Sequence, residues 1–154
     1  MIQESIAVII ANILPTSEQI GGIPLGIYLG LDPIYSFLLS LTINTLLFFP
    51  VYFSLKFFYD SFFSKIGIFK KYLDRTRMKG KPYVDKYGIL GLTLFISLPT
   101  PFTGTYTASM LSWLMDLDWK RSSMAIFLGS AIGGLIILGT VMGFIEVLKI
   151  MFSF

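Results

Sequence analysis

The chain contains neither cysteine nor histidine. The first absence excludes disulfides and thiolate chemistry, and the second removes the commonest metal ligand and the commonest general base near neutral pH. Charge is scarce as well, at 14% of residues, whereas 55% are apolar and 16% aromatic. A chain of 154 residues cannot hide that much apolar surface in a water-soluble core, so the expected solvent is lipid. A basic leader is missing too: Gln3 and Glu4 stand where it would be, and no small-residue cleavage site precedes Pro15. No cleavable signal is expected, and the mature chain is expected to begin at Met1. Without histidine, cysteine or a carboxylate pair in the apolar segments, neither enzymatic activity nor a cofactor or metal is expected, and nothing points to a nucleic-acid partner.

What the sequence does have is a repeated break. Leu-Pro-Thr occurs at Leu14-Pro15-Thr16 and again at Leu98-Pro99-Thr100, each time in the middle of an apolar segment. Each break is followed by a returning apolar stretch, a Leu-Asp pair (Leu31-Asp32, Leu117-Asp118) and one long apolar segment. A helix needs about 20 residues to cross roughly 30 Å of hydrocarbon. Two stretches pass that test, Ile34 to Leu55 and Ser122 to Val147. Ile2 to Leu14, Ile20 to Leu31, Tyr87 to Leu98 and Thr103 to Met115 are too short to cross alone and pair into two re-entrant hairpins. The alternative is that each pair forms one Pro-kinked span or two thin, tilted ones.

Nine of the twelve Lys and Arg residues lie between Lys56 and Lys86, which places that connector in the cytoplasm. The first long span then runs inward, and Asp32-Pro33 lies outside. The second hairpin begins and ends inside, with Asp118-Trp119-Lys120-Arg121 as its basic exit. The expected fold is therefore an all-α integral protein of the plasma membrane, a single domain with opposed halves: repeat 1 over 1–55, the connector over 56–86 and repeat 2 over 87–154. Inverted repeats with discontinuous helices are a plan of secondary transporters. Phe58, Phe62, Ile66, Phe69 and Leu73 share one helical face, so the connector is expected to form a basic amphipathic helix on the inner membrane surface, ended by Gly80-Lys81-Pro82. Its cations serve as a topology anchor and would also attract anionic lipid headgroups. Asp32 and Asp118 read as caps of the two spans, and Trp113 and Trp119 as an interfacial belt. The small residues Ala125, Gly129, Ser130, Gly133, Gly134, Gly139 and Gly143 permit close packing, within the chain or in a homodimer.

Polar backbone freed inside hydrocarbon needs partners, so the hairpin tips should meet. The candidate binding residues are Thr16, Ser17, Glu18 and Gln19 at the first tip and Thr100, Thr103, Thr105 and Tyr106 at the second, with Pro15, Pro24, Pro99, Pro101 and Gly104 as the breaks. Glu18 is the sharpest of these, because an acid at mid-membrane is costly and by default functional; as a proton carrier it would couple transport. Its structural alternative is a cap on the half-helix after Ser17. Asn44 is either a site residue or a bond to a neighbouring helix, and Arg121 either an anchor or a contact to an anionic headgroup. Helix N-termini at the tips attract anions, whereas carbonyl and threonine oxygens suit a cation, with Na⁺ as another coupling ion, and the sequence leaves both open.

Leu-Pro-Thr-Ser-Glu with Gly22 to Gly26, Tyr87-Gly88 with Gly91-Leu92, and Leu98 to Thr105 together resemble the small multidrug export protein family over almost the whole chain. That family looks like a distant branch of the DedA superfamily, whose members carry two re-entrant hairpins and include proposed translocases of polyprenyl-phosphate carrier lipids. Pro15, Ser17 and Glu18 match its Pro-x-Ser-Glu pattern, and Pro99 its second hairpin proline; Ile96 and Phe102 stand where it has paired arginines. The resemblance implies a transporter of an amphipathic or lipid-like substrate. Export of small hydrophobic cations and a non-transporting, lipid-perturbing scaffold are the alternatives.

Overall fold

The computed structural model describes residues 1–59, 65–100 and 103–152. Seven helices follow the punctuation of the described chain: α1 (Ile2–Ile13), α2 (Glu18–Tyr28), α3 (Pro33–Phe58), α4 (Gly67–Tyr87), α5 (Ile89–Ser97), α6 (Thr105–Leu114) and α7 (Trp119–Phe152). No strand occurs among the described residues. The order short, short, long thus appears on either side of α4.

Each long helix starts on an aspartate. Asp32 Oδ1 accepts the Tyr35 N–H at 3.0 Å, with Pro33 in the first turn, where a missing N–H costs nothing. Asp118 Oδ1 accepts the Arg121 N–H at 2.9 Å. The preceding short helices also end alike. The Leu31 N–H reaches back to the Gly26 carbonyl and the Leu117 N–H to the Ser112 carbonyl, both at 2.9 Å, across residues of positive φ, Gly30 at 87° and Asp116 at 51°. In this Schellman closure a left-handed residue turns the chain and the next N–H satisfies an otherwise orphaned carbonyl. Glycine takes that conformation freely, and aspartate is among the few side chains that tolerate it.

α3 and α7 run antiparallel. Tyr52, late in α3, donates to the Leu117 carbonyl just ahead of α7 at 3.1 Å, and the Phe49 and Phe53 rings meet Trp119 at 6.4 and 6.0 Å. Phe37, early in α3, lies instead against Gly134 and Ile137. The end of α3 with Lys56 and the start of α7 with Lys120 and Arg121 therefore share one end of the molecule. Between the long helices, one core joins Phe48, Leu92, Phe95, Leu111 and Ile126, and a second joins Ile23, Phe37, Leu41 and Ile137.

Small residues on α7 set how close α5 comes. A Cβ on Gly129 would stand 2.7 Å from the Thr93 carbonyl oxygen and 2.9 Å from Ile96 Cβ, and one on Gly133 would stand 3.2 Å from the Ile96 carbonyl. The stripe of Ala125, Gly129 and Gly133 thus works within the chain, whereas Gly139 and Gly143 face open space. Outward, the long helices are apolar. Their most apolar windows have mean hydropathies of 1.7 and 2.2 and are only 33% buried, leaving Leu38, Leu46, Phe127, Leu128 and Ile136 exposed. At 26 and 34 residues they measure about 39 and about 51 Å, enough to cross a bilayer.

Three sequence expectations need correction. α3 runs on to Phe58, because nothing after Leu55 signals a stop, so Phe58 belongs to the span and not to the connector helix; Phe62 lies outside the described residues. α4 passes through Gly80-Lys81-Pro82 and ends at Gly88, whose φ is 58° and whose N–H bonds the Val84 carbonyl at 2.7 Å. Proline costs a helix interior about 3 kcal/mol; here α4 is held by packing on both sides of it, by Gly80 seated on Leu111 before it and by Val84 buried in the core after it. Its buried face, Leu73, Thr76, Gly80 and Val84, packs on α5 and α6. Likewise Pro24 is not a break: α2 continues through it, wedged against α1, α3 and α7.

The glycine stripe makes a signed prediction. An exposed Gly→Ala in a helix gains up to about 1 kcal/mol of propensity, so Gly139→Ala should hold or raise the melting temperature of the detergent-purified protein. Gly129→Ala should lower it, because the new methyl meets backbone that cannot yield, at about 1–3 kcal/mol. Equal melting temperatures for the two variants would contradict the packing.

Candidate functional site

At both Leu-Pro-Thr breaks the helix ends, and the carbonyl just before the proline is satisfied locally, each time by a different device. At the first, the Ser17 and Glu18 N–H groups turn back to the Leu14 carbonyl at 3.0 and 3.1 Å. At the second, the Thr103 hydroxyl does the work: it bonds the Leu98 carbonyl, lies 3.1 Å from the Thr100 carbonyl and 3.1 Å from the Thr100 hydroxyl, and accepts the Thr100 N–H at 3.3 Å. A threonine here replaces the water that a break in a soluble protein would use.

The two tips then join. The Glu18 carboxylate, only 9% exposed, accepts the Thr105 N–H at 2.6 Å and so caps α6, a helix of the other half. The first N–H groups of a helix are orphaned and carry about half a positive charge, which makes them the natural partner of a buried carboxylate. Gly104 precedes that N–H, and a Cβ there would collide with the Glu18 carboxyl group. Glu18 itself sits at φ 42°, a strained conformation for a side chain of that size. In the opposite direction the Tyr106 hydroxyl donates to the Ile13 carbonyl at 2.6 Å. The expected meeting of the tips is thus observed as two crossed bonds, and Glu18 caps the facing half-helix, not its own.

Behind the Glu18 contact lies a cavity of about 30 Å³. A water needs about 10–15 Å³ on this measure, so the space fits one or two waters or a small ion. Its lining includes Glu18, Gln19, Asn44, Thr105 and Ser130, with Pro15, Thr16, Ser17, Pro99, Thr100, Thr103 and Gly104 toward the tips. Two polar atoms of this lining are buried without a protein partner, Gln19 Nε2 and Asn44 Oδ1. An unpaired buried amide costs about 1–3 kcal/mol, so a donor and an acceptor left in one cavity call for a polar guest. Glu18 is the one carboxylate in that lining, and no group of three acidic side chains occurs among the described residues. The donor set suits a proton or a monovalent cation better than a divalent metal, which takes several carboxylates.

Not every sequence candidate belongs to the cavity. Tyr106 ties the tips together without lining it, Arg121 is exposed at the start of α7, Pro24 lies within α2, and Pro101 is outside the described residues. Conversely Asn12 is missing from the sequence expectations. It is fully buried in α1, donates to the Val8 carbonyl at 2.8 Å and to Ser40 Oγ at 3.0 Å, and accepts from Asn44 Nδ2 at 3.2 Å. That last bond occupies one Asn44 N–H, while Asn44 Oδ1 is left without a protein partner at the cavity. A lone asparagine inside the apolar run Ile2–Ile13 was the available signal, and Ser130 gave one as the polar member of a small-residue stripe.

A family model described as "Putative small multi-drug export protein" matches residues 18–136, from Glu18 through the two breaks and α4 into α7. No curated protein and no solved structure matches the chain. With two long, outwardly apolar helices and a match over most of its length, this all-helical membrane protein belongs to the small multi-drug export protein family.

Proposed function

We propose that the protein exports amphipathic cations in exchange for protons, and that two inverted halves, each a re-entrant hairpin plus one spanning helix, expose the cavity behind Glu18 to the two sides in turn. The observation that carries this reading is the bond from Glu18 of the first half to the N-terminus of α6 in the second, beside a cavity with two unpartnered amide atoms, Gln19 Nε2 and Asn44 Oδ1. An ionised carboxylate is held by the positive end of α6. A proton or a bound cation competes for that charge, weakens the bond and lets the tips part. Proton and substrate cannot both hold Glu18, which is the condition for exchange. The antiparallel α3 and α7 and the twice-used Schellman closure support the inverted relation of the halves.

The cavity fits a water or an ion, so the arrangement is the closed one, and the larger part of a substrate stays among lipid while its charged head reaches Glu18. A cation is preferred over an anionic carrier lipid of the kind linked to the DedA superfamily, because no Lys or Arg is among the described residues of the lining and Ile96 stands where that superfamily has an arginine. The cations of α4 together with Lys120 and Arg121 support a cytoplasmic place for that end in the plasma membrane.

Three outcomes test the proposal. Glu18→Gln keeps the shape of the cap but cannot cycle a proton. In proteoliposomes with an imposed pH gradient, export of a lipophilic dye cation should fall at least ten-fold per folded molecule, while stability drops by about 0.5–2 kcal/mol, as for a lost cap; wild-type export in this variant removes Glu18 from the mechanism. Gly104→Ala, which drives a methyl onto the carboxylate, should lower both export and melting temperature, and a neutral result would mean that the tips are not in contact. In this cysteine-free chain, single cysteines at Lys70 and Lys120 should react with impermeant reagent only from inside and one at the exposed Ile34, next to Asp32-Pro33, only from outside, with Thr16 and Thr100 protected from both; strong labelling of the last two from opposite sides excludes re-entrant hairpins.

A further inference from the structure

A second hollow lies away from the Glu18 cavity, between α4 and α6. It measures about 180 Å³ and is lined by Tyr72, Arg75, Thr76, Lys79 and Thr107. Thr76 and Thr107 are buried at its floor, 3% and 4% exposed, and the Tyr72 hydroxyl lies 3.0 Å from Thr107 Oγ1. Arg75 and Lys79 stand one helical turn apart on the exposed side of α4, above that floor. No carboxylate is among the described residues of the lining.

We propose that this hollow is a binding site for a phosphate-bearing anion, and that its ligand is the headgroup of an acidic phospholipid. Two cations at a rim over three hydroxyl-bearing side chains form the donor set that phosphate oxygens take: a guanidinium fork, an ammonium and hydroxyl donors. The chemistry contrasts with the first cavity, where an acid and two amides gather and no cation is among the described lining residues. Ile68, Tyr72, Arg75 and Lys79 fall at spacings of four, three and four, hence on one stripe of α4. Ile68, 85% exposed, continues the stripe one turn beyond Tyr72 and offers apolar surface to an acyl chain, which a free phosphate ion would not use. Thr107 belongs to α6, the helix that Glu18 caps, so a bound headgroup would hold α4 onto the same short helix that carries the tip contact.

The test uses the full chain in a neutral detergent and counts bound ligand by native mass spectrometry. The probes are dihexanoyl phosphatidylglycerol, dihexanoyl phosphatidylcholine and inorganic phosphate. One phosphatidylglycerol should bind saturably, with at least ten-fold preference over the choline lipid, and Arg75→Gln with Lys79→Gln should weaken it at least ten-fold. Lys70→Gln with Lys71→Gln removes the same charge from α4 outside the hollow and should change it less than two-fold. Thr76→Val, uncharged and nearly isosteric, should weaken binding about three-fold and guards against misfolding of the double variant. Displacement of the lipid by millimolar phosphate supports the shared chemistry. Phosphate binding as tight as the lipid's would assign the site to a soluble anion, and tighter lipid binding to the headgroup. Equal losses in the two double variants, or adducts that never saturate, would reduce the hollow to diffuse surface charge and overturn the proposal.

Discussion

A helix broken inside a low-dielectric environment must find partners for the backbone groups it frees, and here they come partly from the break itself and partly from the other half of the chain. The Glu18 carboxylate meets the Thr105 N–H, the Tyr106 hydroxyl meets the Ile13 carbonyl, and Thr103 closes the second break on itself. A hydrogen bond to a charged group contributes about 1.5–3 kcal/mol and an orphaned buried donor forfeits a similar amount. Those sums exceed the roughly 1–2 kcal/mol that a left-handed, non-glycine residue costs, so Glu18 can be held at a positive φ where an isolated residue would relax. The absence of a side chain at Gly104 follows from the same contact, since any Cβ there would displace the carboxylate.

The cavity depends on packing one layer further out. In lipid the hydrophobic effect does not drive helices together, and close approach rewards small residues with dispersion contacts. Gly129 and Gly133 let the end of α5 settle on α7, which brings the Pro99 break level with Ser130. On the far wall, Asn12 grips Ser40 and Asn44 and fixes α1 to α3. The site is thus walled by two long, regular helices, α3 and α7, and closed by two irregular tips.

Much of this was legible from residue order. The breaks, the two spans, the aspartate caps and the four short apolar helices all rest on local chemistry, because a proline removes its own N–H and an aspartate caps within three residues. Where the structure departs from local expectation, contacts distant in sequence decide the outcome. α4 survives Pro82 because α5 and α6 hold it, α2 survives Pro24 because three helices surround it, and the end of α3 carries no stop signal to read. Glu18 was visible as an unusual residue, but its partner lies 87 positions away and no periodicity encodes it. Asn12 was overlooked because one polar residue hardly changes the hydropathy of an apolar helix, although its burial is complete.

The distribution of charge supports exchange over simple leakage. Cations crowd α4 and the start of α7, outside the apolar stretches, while the tip region holds one acid whose nearest compensation is the partial charge of a helix end. A full counter-cation such as arginine would hold a carboxylate too firmly for a single proton to release it, since the pair would leave a buried charge behind on parting. A helix N-terminus leaves none: its N–H groups can turn to water or to the lone pairs of a guest. In the proposed exchange, the bond that joins the halves closes the cavity and opens when one charge is neutralised. In the proposed cycle the proton and the cationic head of the substrate are interchangeable at Glu18 because each removes the same charge.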